Sequence, residues 1–549
     1  MTSSRITRRT LLGVGLGLSI TACVSSGARD TSPVVELASG KVRGRVSRGI
    51  HVFKGIPYGA VTSGENRFRP ARPPAEWTGV REAYDYGYSA PQLRIPLQVV
   101  PSISVSQHLV RPEDEDCLTA NVWTPGLDGA RRPVLLWLHG GGYSVGSGSS
   151  PMTDGENLAR NEDVVVVSIN HRLGPLGYAD LGALSTDFEG AGLIGQTDII
   201  AALRWIREHA ERFGGDPARV LIFGNSGGGN KVAMLLAMPA ARGLFHRAAI
   251  LGGPELTARP RERTAATAEA LLRALGLTGT RVADVQRKSL QEILQAAQVV
   301  SKQGLGRGFA PAIDGVLLPR HPFTPDAPSV SADVPLVIGF NRHETAYLYA
   351  SDEGQFDLDE AGFRQRLRGI FEEEDIATLI DTYRSGNPNA SWTEIYLQMT
   401  TDQWMGAHSI KIAERKAAQG AAPVWMYRFE WQTPVDGGKW RSPHTLEVPF
   451  FFSNVTRPEM TRLVGDAPPV RLQQALSRSL ANFARTGNPN ASGLLPDWPA
   501  YSSKRDTMLF NVVSRMVADP QSEERQAIER AVFRAGPGGR EYPGRVTTD

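Results

Sequence analysis

Residues 219–229 read RVLIFGNSGGG, and the order of residue types in this stretch decides the fold. Val220, Leu221, Ile222 and Phe223 form a short apolar run of the kind a buried strand requires. The run passes directly into Gly224-Asn225-Ser226-Gly227-Gly228, a G-x-S-x-G pattern, and Val232, Leu235 and Leu236 then mark the apolar side of a helix. A strand that turns sharply into a helix with serine at the apex is a nucleophile elbow, and the context gives a common pattern a mechanical meaning. Side chains at Gly224 and Gly228 would crowd neighbouring backbone. The serine is held in a strained conformation, with its hydroxyl exposed above the sheet.

Outward from the elbow the same alternation repeats. Residues 133–138 (PVLLWL) and 163–169 (DVVVVSI) are apolar on both faces, as buried parallel strands are, and 334–340 and 424–429 supply two later strands. Between 197 and 213, Ile199, Ile200, Leu203 and Ile206 fall on one helical face, and Leu472, Ala475, Leu476 and Phe483 mark a late helix. Strand, helix and strand in repetition predict an α/β fold with a mostly parallel central sheet and helices on both faces. Residues 260–300 and 353–418 are polar and helical, and are expected as insertions that cap the carboxyl edge of the sheet and wall a pocket.

The chain has 549 residues, 41% hydrophobic and 21% charged, which excludes a collagen-like, coiled-coil or wholly disordered protein. A single domain over 33–533 is expected, followed at 534–549 by a disordered tail rich in Gly and Pro. The formal charge is +3, and Arg5, Arg8 and Arg9 are the only charges in the first 22 residues. The remainder is therefore neutral, so neither a nucleic-acid partner nor a strongly acidic ligand is implied.

Residues 1–22 read as a signal peptide. Arg8 and Arg9 precede an apolar run over 11–20 that is too short for about 30 Å of hydrocarbon. The arginine pair resembles a twin-arginine signal, and Ile20-Thr21-Ala22-Cys23 resembles a lipobox. Export to the periplasm or cell envelope with a lipid on Cys23 is expected, that anchor being the only membrane contact. A plain secretory signal that discards Cys23 is the alternative. Cys117, the second of two cysteines, then has no intrachain partner, and no cysteine pair has metal-ligand spacing. Neither metal nor cofactor is expected. Oligomeric state is not written in the sequence.

A serine nucleophile needs a donor set for the oxyanion that forms when it attacks. Leu136-Trp137-Leu138-His139-Gly140-Gly141-Gly142-Tyr143 follows a predicted strand with a glycine triplet that can turn bare backbone N–H groups toward such a charge. A phosphate cradle would need a Lys-Ser/Thr or a helix start here, and neither is present. The serine also needs a histidine to take its proton and a carboxylate to orient that histidine. His246, His321, His343, His408 and His444 lie beyond Ser226. His444, in a loop after the strand ending near Phe429, is the favoured base, and Glu344, directly after another strand, is the favoured acid. Asp314 competes, but Ile313-Asp314-Gly315 reads as a hairpin turn.

With these residues the chain resembles a type B carboxylesterase of the α/β-hydrolase superfamily, similar to bacterial para-nitrobenzyl esterases and more distantly to cholinesterases. The resemblance runs from about Val35 to about Asp519 and rests on further ordered segments. They are Phe53-Lys-Gly-Ile-Pro-Tyr58, Arg67-Phe-Arg-Pro70, Glu115-Asp-Cys-Leu118, Asn170-His-Arg-Leu-Gly-Pro-Leu-Gly177, Phe213-Gly-Gly-Asp-Pro217 and Thr486-Gly-Asn-Pro489. It implies an α/β-hydrolase fold and a small-molecule ester substrate. It implies catalysis by Ser226, His444 and Glu344 through an acyl-enzyme, with Gly141, Gly142 and Gly227 as oxyanion donors. Hydrolysis of an amide, carbamate or lactone on the same site, or a non-catalytic binding module, are the alternatives. Four departures stand out: Asn225 where many relatives have Glu, His171 where Tyr is usual, Ile194-Gly195-Gln196 for Leu-Asp-Gln, and Thr445 for Gly. No Phe, Tyr or Trp occurs between Gln92 and Asp116, and with Asn225 this argues against a quaternary-ammonium substrate.

Overall fold

The computed structural model describes residues 32–93, 112–277, 279–305, 308–534 and 536. The expected signal peptide, Cys23 and all but the start of the expected tail lie outside the described residues. Numbered along the chain, the strands are β1 (Val34–Leu37), β2 (Gly40–Arg43), β3 (Arg45–Ser47), β4 (Ile50–Pro57), β5 (Val80–Glu82), β6 (Thr119–Thr124) and β7 (Arg132–Leu138). They continue as β8 (Val165–Ile169), β9 (Gly215–Asn225), β10 (Arg247–Leu251), β11 (Leu336–Asn341), β12 (Val424–Phe429), β13 (Asp506–Phe510) and β14 (Arg515–Ala518). Eleven of them form one sheet in the order β14-β13-β12-β11-β10-β9-β7-β8-β6-β4-β3, and β1, β2 and β5 form a small separate sheet. From β8 through β7, β9, β10, β11 and β12 to β13 every pairing is parallel. Antiparallel strands flank this block on both sides.

The continuous apolar runs become buried strands because helices cover both faces. In β7, Val134, Leu136 and Leu138 point into one core with Val167, Ile222, Ile250 and Ile338. Leu135 and Trp137 point into the other, with Val166, Leu221, Phe223 and Trp425. The helix Ile194–His209 covers the first face with Ile199, Leu203 and Ile206. The helix Val470–Thr486 covers the second with Leu472, Leu476 and Phe483. Each such side chain stabilises the fold by about 1.5–3 kcal/mol, so the strand ends that carry the site rest on packing from both sides.

The insertions differ in part from expectation. Helices Arg261–Ala274 and Leu290–Lys302 pack on each other through Leu271, Ile293 and Ala297, in a cluster that includes Tyr143 beside the glycine triplet. Within 353–418, Glu373–Gly386 and Trp392–Thr401 join the helix Ser522–Phe533 in a separate cluster around Leu379, Ile395 and Ile528. Ala407–Gln419 instead lays Ile412 and Ala413 into the sheet core. It covers the sheet and is not an insertion; an amphipathic stripe does not say which surface receives it.

Candidate active site

The elbow forms where β9 gives way to the helix Gly227–Ala237. Ser226 sits at φ 57° and ψ −126°, a backbone conformation costing on the order of 1–3 kcal/mol in a non-glycine residue. Its N–H donates to Leu251 O at 3.0 Å, and its carbonyl accepts from Asn230 N at 3.0 Å, so both neighbours over-determine the turn. A Cβ on Gly224 would lie 2.5 Å from Gly228 C, and one on Gly228 would lie 2.0 Å from Leu138 O. Both glycines are therefore obligatory.

Parallel β9, β11 and β12 end at the same edge and deliver the other two residues. Glu344 follows β11 by three positions and accepts through Oε1 from Asn341 N at 2.7 Å. The loop after β12 is fastened by Ser442, whose Oγ donates to Phe429 O at 2.9 Å and whose carbonyl accepts from His343 N at 3.0 Å. His444 in that loop hydrogen-bonds through Nδ1 to Glu344 Oε2. Its Nε2 is buried and has no hydrogen-bond partner among the described residues, so Ser226 Oγ does not bond it in this structure. Such bonds commonly tighten only when substrate is bound. Burial alone would depress His444, but the charge and hydrogen bond of Glu344, with the charge of Glu447, raise it above the ordinary imidazole value.

Glu447 is the site residue that the sequence reading passed over. It is fully buried, accepts from Asn225 Nδ2 at 2.9 Å through Oε1, and accepts from Asn341 Nδ2 through Oε2. Burial first, and then the charge of Glu344, push it up to about 7. It stands three residues after His444 as the N-cap of the short helix Val448–Phe451, and with Thr445 at φ 74° between them no helical spacing in the sequence pointed to it. Asn225, whose Nδ2 also donates to Leu251 O at 3.0 Å, spends its side chain on this carboxyl and on the backbone.

The glycine triplet adopts φ 89° at Gly141 and 62° at Gly142, backbone that favours glycine. Among the described residues nothing accepts from the N–H groups of Gly141 and Gly142. A Cβ on Gly227 would lie 2.3 Å from Gly142 N, so the first turn of the elbow helix abuts the loop. His139 turns Nδ1 to Gly140 O at 2.9 Å and stacks on His171 with ring centroids 4.6 Å apart. That stack gives the departure at 171 a packing role. Gly195 likewise makes room, since a Cβ there would lie 2.4 Å from Tyr178 Oη. Thr445 stands at φ 74°, a strained position for a β-branched residue where Gly is usual.

The remaining histidines are committed elsewhere. His246 Nδ1 accepts from Val220 N at 3.2 Å, His321 Nδ1 from Ala258 N at 3.1 Å, and His343 Nε2 lies 2.9 Å from Glu394 Oε1. His408 packs on Phe533. Asp314 Oδ1 accepts from Val316 N at 3.0 Å and Leu318 N at 2.9 Å, which makes a side-chain-capped turn without the flanking strands of a hairpin. Among the described residues no group of three His, Cys, Asp or Glu is placed to hold a metal ion. Nor is any helix among them long and apolar enough to cross a membrane.

A parallel sheet flanked by helices, with an elbow serine, a carboxylate and an imidazole delivered to one edge, defines an α/β-hydrolase. The model of the carboxylesterase family matches residues 31–528. Para-nitrobenzyl esterase of Bacillus subtilis is 34% identical over 510 residues, spanning 91% of this chain and 99% of the relative. Phenmedipham hydrolase of Pseudarthrobacter oxydans is 35% identical over 490 residues, spanning 87% and 95%. The crystal structure of a Geobacillus stearothermophilus carboxylesterase superposes with a TM-score of 0.77 at 35% identity, covering 90% of this chain and 99% of that one. The chain belongs to the carboxylesterase family and is a carboxylic ester hydrolase.

Proposed function

We propose that ester hydrolysis by this chain runs through an acyl-enzyme on Ser226. His444 Nε2 takes the hydroxyl proton as Oγ attacks the ester carbonyl, and the N–H groups of Gly141, Gly142 and Gly227 receive the oxyanion. The C–O bond to the alcohol then breaks, and the alcohol leaves with the proton from His444. Water, deprotonated by the same nitrogen, attacks the acyl carbonyl, and the acid departs as Ser226 recovers its proton. Glu344 holds the imidazole with its proton on Nδ1. One observation carries this reading: His444 is fixed through Nδ1 by Glu344 while its other nitrogen has no partner, at the edge where the elbow presents Ser226.

The test is Ser226→Ala assayed with a short-chain nitrophenyl ester and an organophosphonate label. Loss of both turnover and labelling is expected; labelling retained elsewhere on the chain refutes the assignment. Glu344→Gln should lower kcat by about 10⁴-fold with the fold intact. The relative named for phenmedipham, a carbamate, favours a second reading in which the same serine also cleaves carbamates. Parallel assays of a carbamate and its matched ester separate the two.

The sequence pattern at Arg8-Arg9 and Cys23 further supports export to the cell envelope with lipid on Cys23. Radiolabelled fatty acid should enter the wild type and not Cys23→Ala. Equal labelling of both removes the anchor.

A further inference from the structure

The loop that carries the oxyanion donors is held by a buried lysine that the reaction above does not use. Lys231 lies on the elbow helix four residues after Gly227, so it faces the same side as that donor. It is fully buried, and among the described residues it forms no ion pair. Its Nζ donates to Gly142 O at 2.7 Å and to His139 O at 3.1 Å, and lies 5.6 Å from the centre of the Tyr143 ring. Burying an ammonium without a counter-ion is costly, and burial pushes Lys231 down to about 7. A group retained at such cost, on two carbonyls of one short loop, calls for an explanation beyond packing.

Peptide planarity supplies it. A carbonyl and the N–H of the next residue point in opposite directions, so a bound carbonyl orients the amide that follows. The donor N–H groups of Gly141 and Gly142 belong to peptide groups whose own carbonyls are taken. Gly140 O faces His139 Nδ1 at 2.9 Å, and Gly141 O accepts from Val145 N at 3.1 Å. The peptide groups on either side, those carrying His139 O and Gly142 O, are the two that Lys231 grips. With Lys231 on the peptide at each end, neither side of the positive-φ pair can turn, so the donor amides are held from outside as well as through their own carbonyls.

We propose that Lys231 is the positioning residue of the oxyanion hole, clamping the carbonyls of His139 and Gly142 so that the N–H groups of Gly141 and Gly142 stay aimed at the developing oxyanion. The proposal rests on the serine-esterase reading of the site. The clamp acts on the transition state, because the ground-state ester needs no fully formed hole.

Lys231→Met keeps the length and apolar stem and removes the donors. Its turnover is measured per active site, titrated with an organophosphonate so that any unfolded fraction drops out. The expected result is a kcat lower by about 30- to 1000-fold with KM changed by no more than about threefold. Affinity for a trifluoromethyl ketone, whose serine adduct places an oxyanion in the hole, should fall in proportion to kcat/KM. Lys231→Ala should regain part of its turnover when propylammonium is added to fill the vacated space. A kcat per site within about threefold of the wild type overturns the proposal, as does lost turnover without lost ketone affinity. Failure of both variants to fold also overturns it, assigning the lysine to the fold alone. Ser226→Ala serves as the control. If it stays active, the serine reading itself falls; if it is dead while Lys231→Met is wild-type-like, only the clamp is rejected.

Discussion

At the scale of single residues, the charge beside His444 comes from two carboxyls of different kinds. Glu344 holds Nδ1 directly, whereas Glu447 acts across space, and burial, with the charge of Glu344, pushes it above the ordinary carboxylate range. The charged form of Glu447 raises the imidazole, so removing it must lower the pH at which His444 becomes a free base. For Glu447→Gln, the acid limb of kcat/KM is therefore expected at lower pH than in the wild type. A pH–rate profile reads this directly, and an unmoved or upward-shifted limb contradicts it. The same carboxyl affects stability. Its folded-state value is raised, so its contribution is fully present below the unfolded value near 4.5 and is lost as pH rises through about 7. The stability of Glu447→Gln relative to the wild type should thus improve as the pH is raised from 4 to 8, as denaturant unfolding at the two pH values would report; no change between them contradicts the reading. Ser226 and Glu344 could be singled out in the sequence because each follows a strand end, and His444 because it lies in the loop after the next strand; the structure joins His444 to Glu344. Glu447 and Lys231 could not be, because a charged residue in a loop or on a helix reads as solvent-facing until its burial is known.

Between elements, polar ties decide whether the loops around the site keep their places. Arg172, in the loop after β8, gives its backbone N–H and Nε to Asp198 Oδ2 at 3.0 and 2.9 Å, and Nη2 to Oδ1 at 2.6 Å. Both partners are buried, so the helix Ile194–His209 fixes a loop whose neighbour His171 stacks on His139. Asp198→Ala leaves a guanidinium buried without its carboxylate and should cost about 3–5 kcal/mol in urea unfolding, well beyond what an exposed pair contributes. A loss below about 1 kcal/mol would show that water or another group replaces the carboxylate. Arg172 stood within a segment that marked the family, yet sequence offered no way to find its partner 26 positions on. The central strands were legible for the opposite reason, since a run such as 133–138 is apolar on both faces wherever it packs. Ala407–Gln419 was misplaced among the insertions because its stripe suits either surface.

For the whole molecule, the two-sided core must supply the stability, since Cys117 is a free, buried thiol inside it. Burial pushes that thiol far up its scale, with the charge of Asp198 adding to the effect, so the reactive thiolate is scarce while the fold is closed. The fourteen strands among the described residues, both core faces and the proposed site lie within 33–533, so a protein spanning 32–549 should fold and hydrolyse esters with the wild-type kcat. That protein has one cysteine, and a thiol reagent then reports the core opening. Labelling should be negligible in native buffer, should appear with the cooperative unfolding transition in urea, and should leave the melting temperature indifferent to added reductant. Rapid labelling of the native protein would mean that the β6 side of the core opens locally, and would contradict a single cooperative unit built on both faces of the sheet.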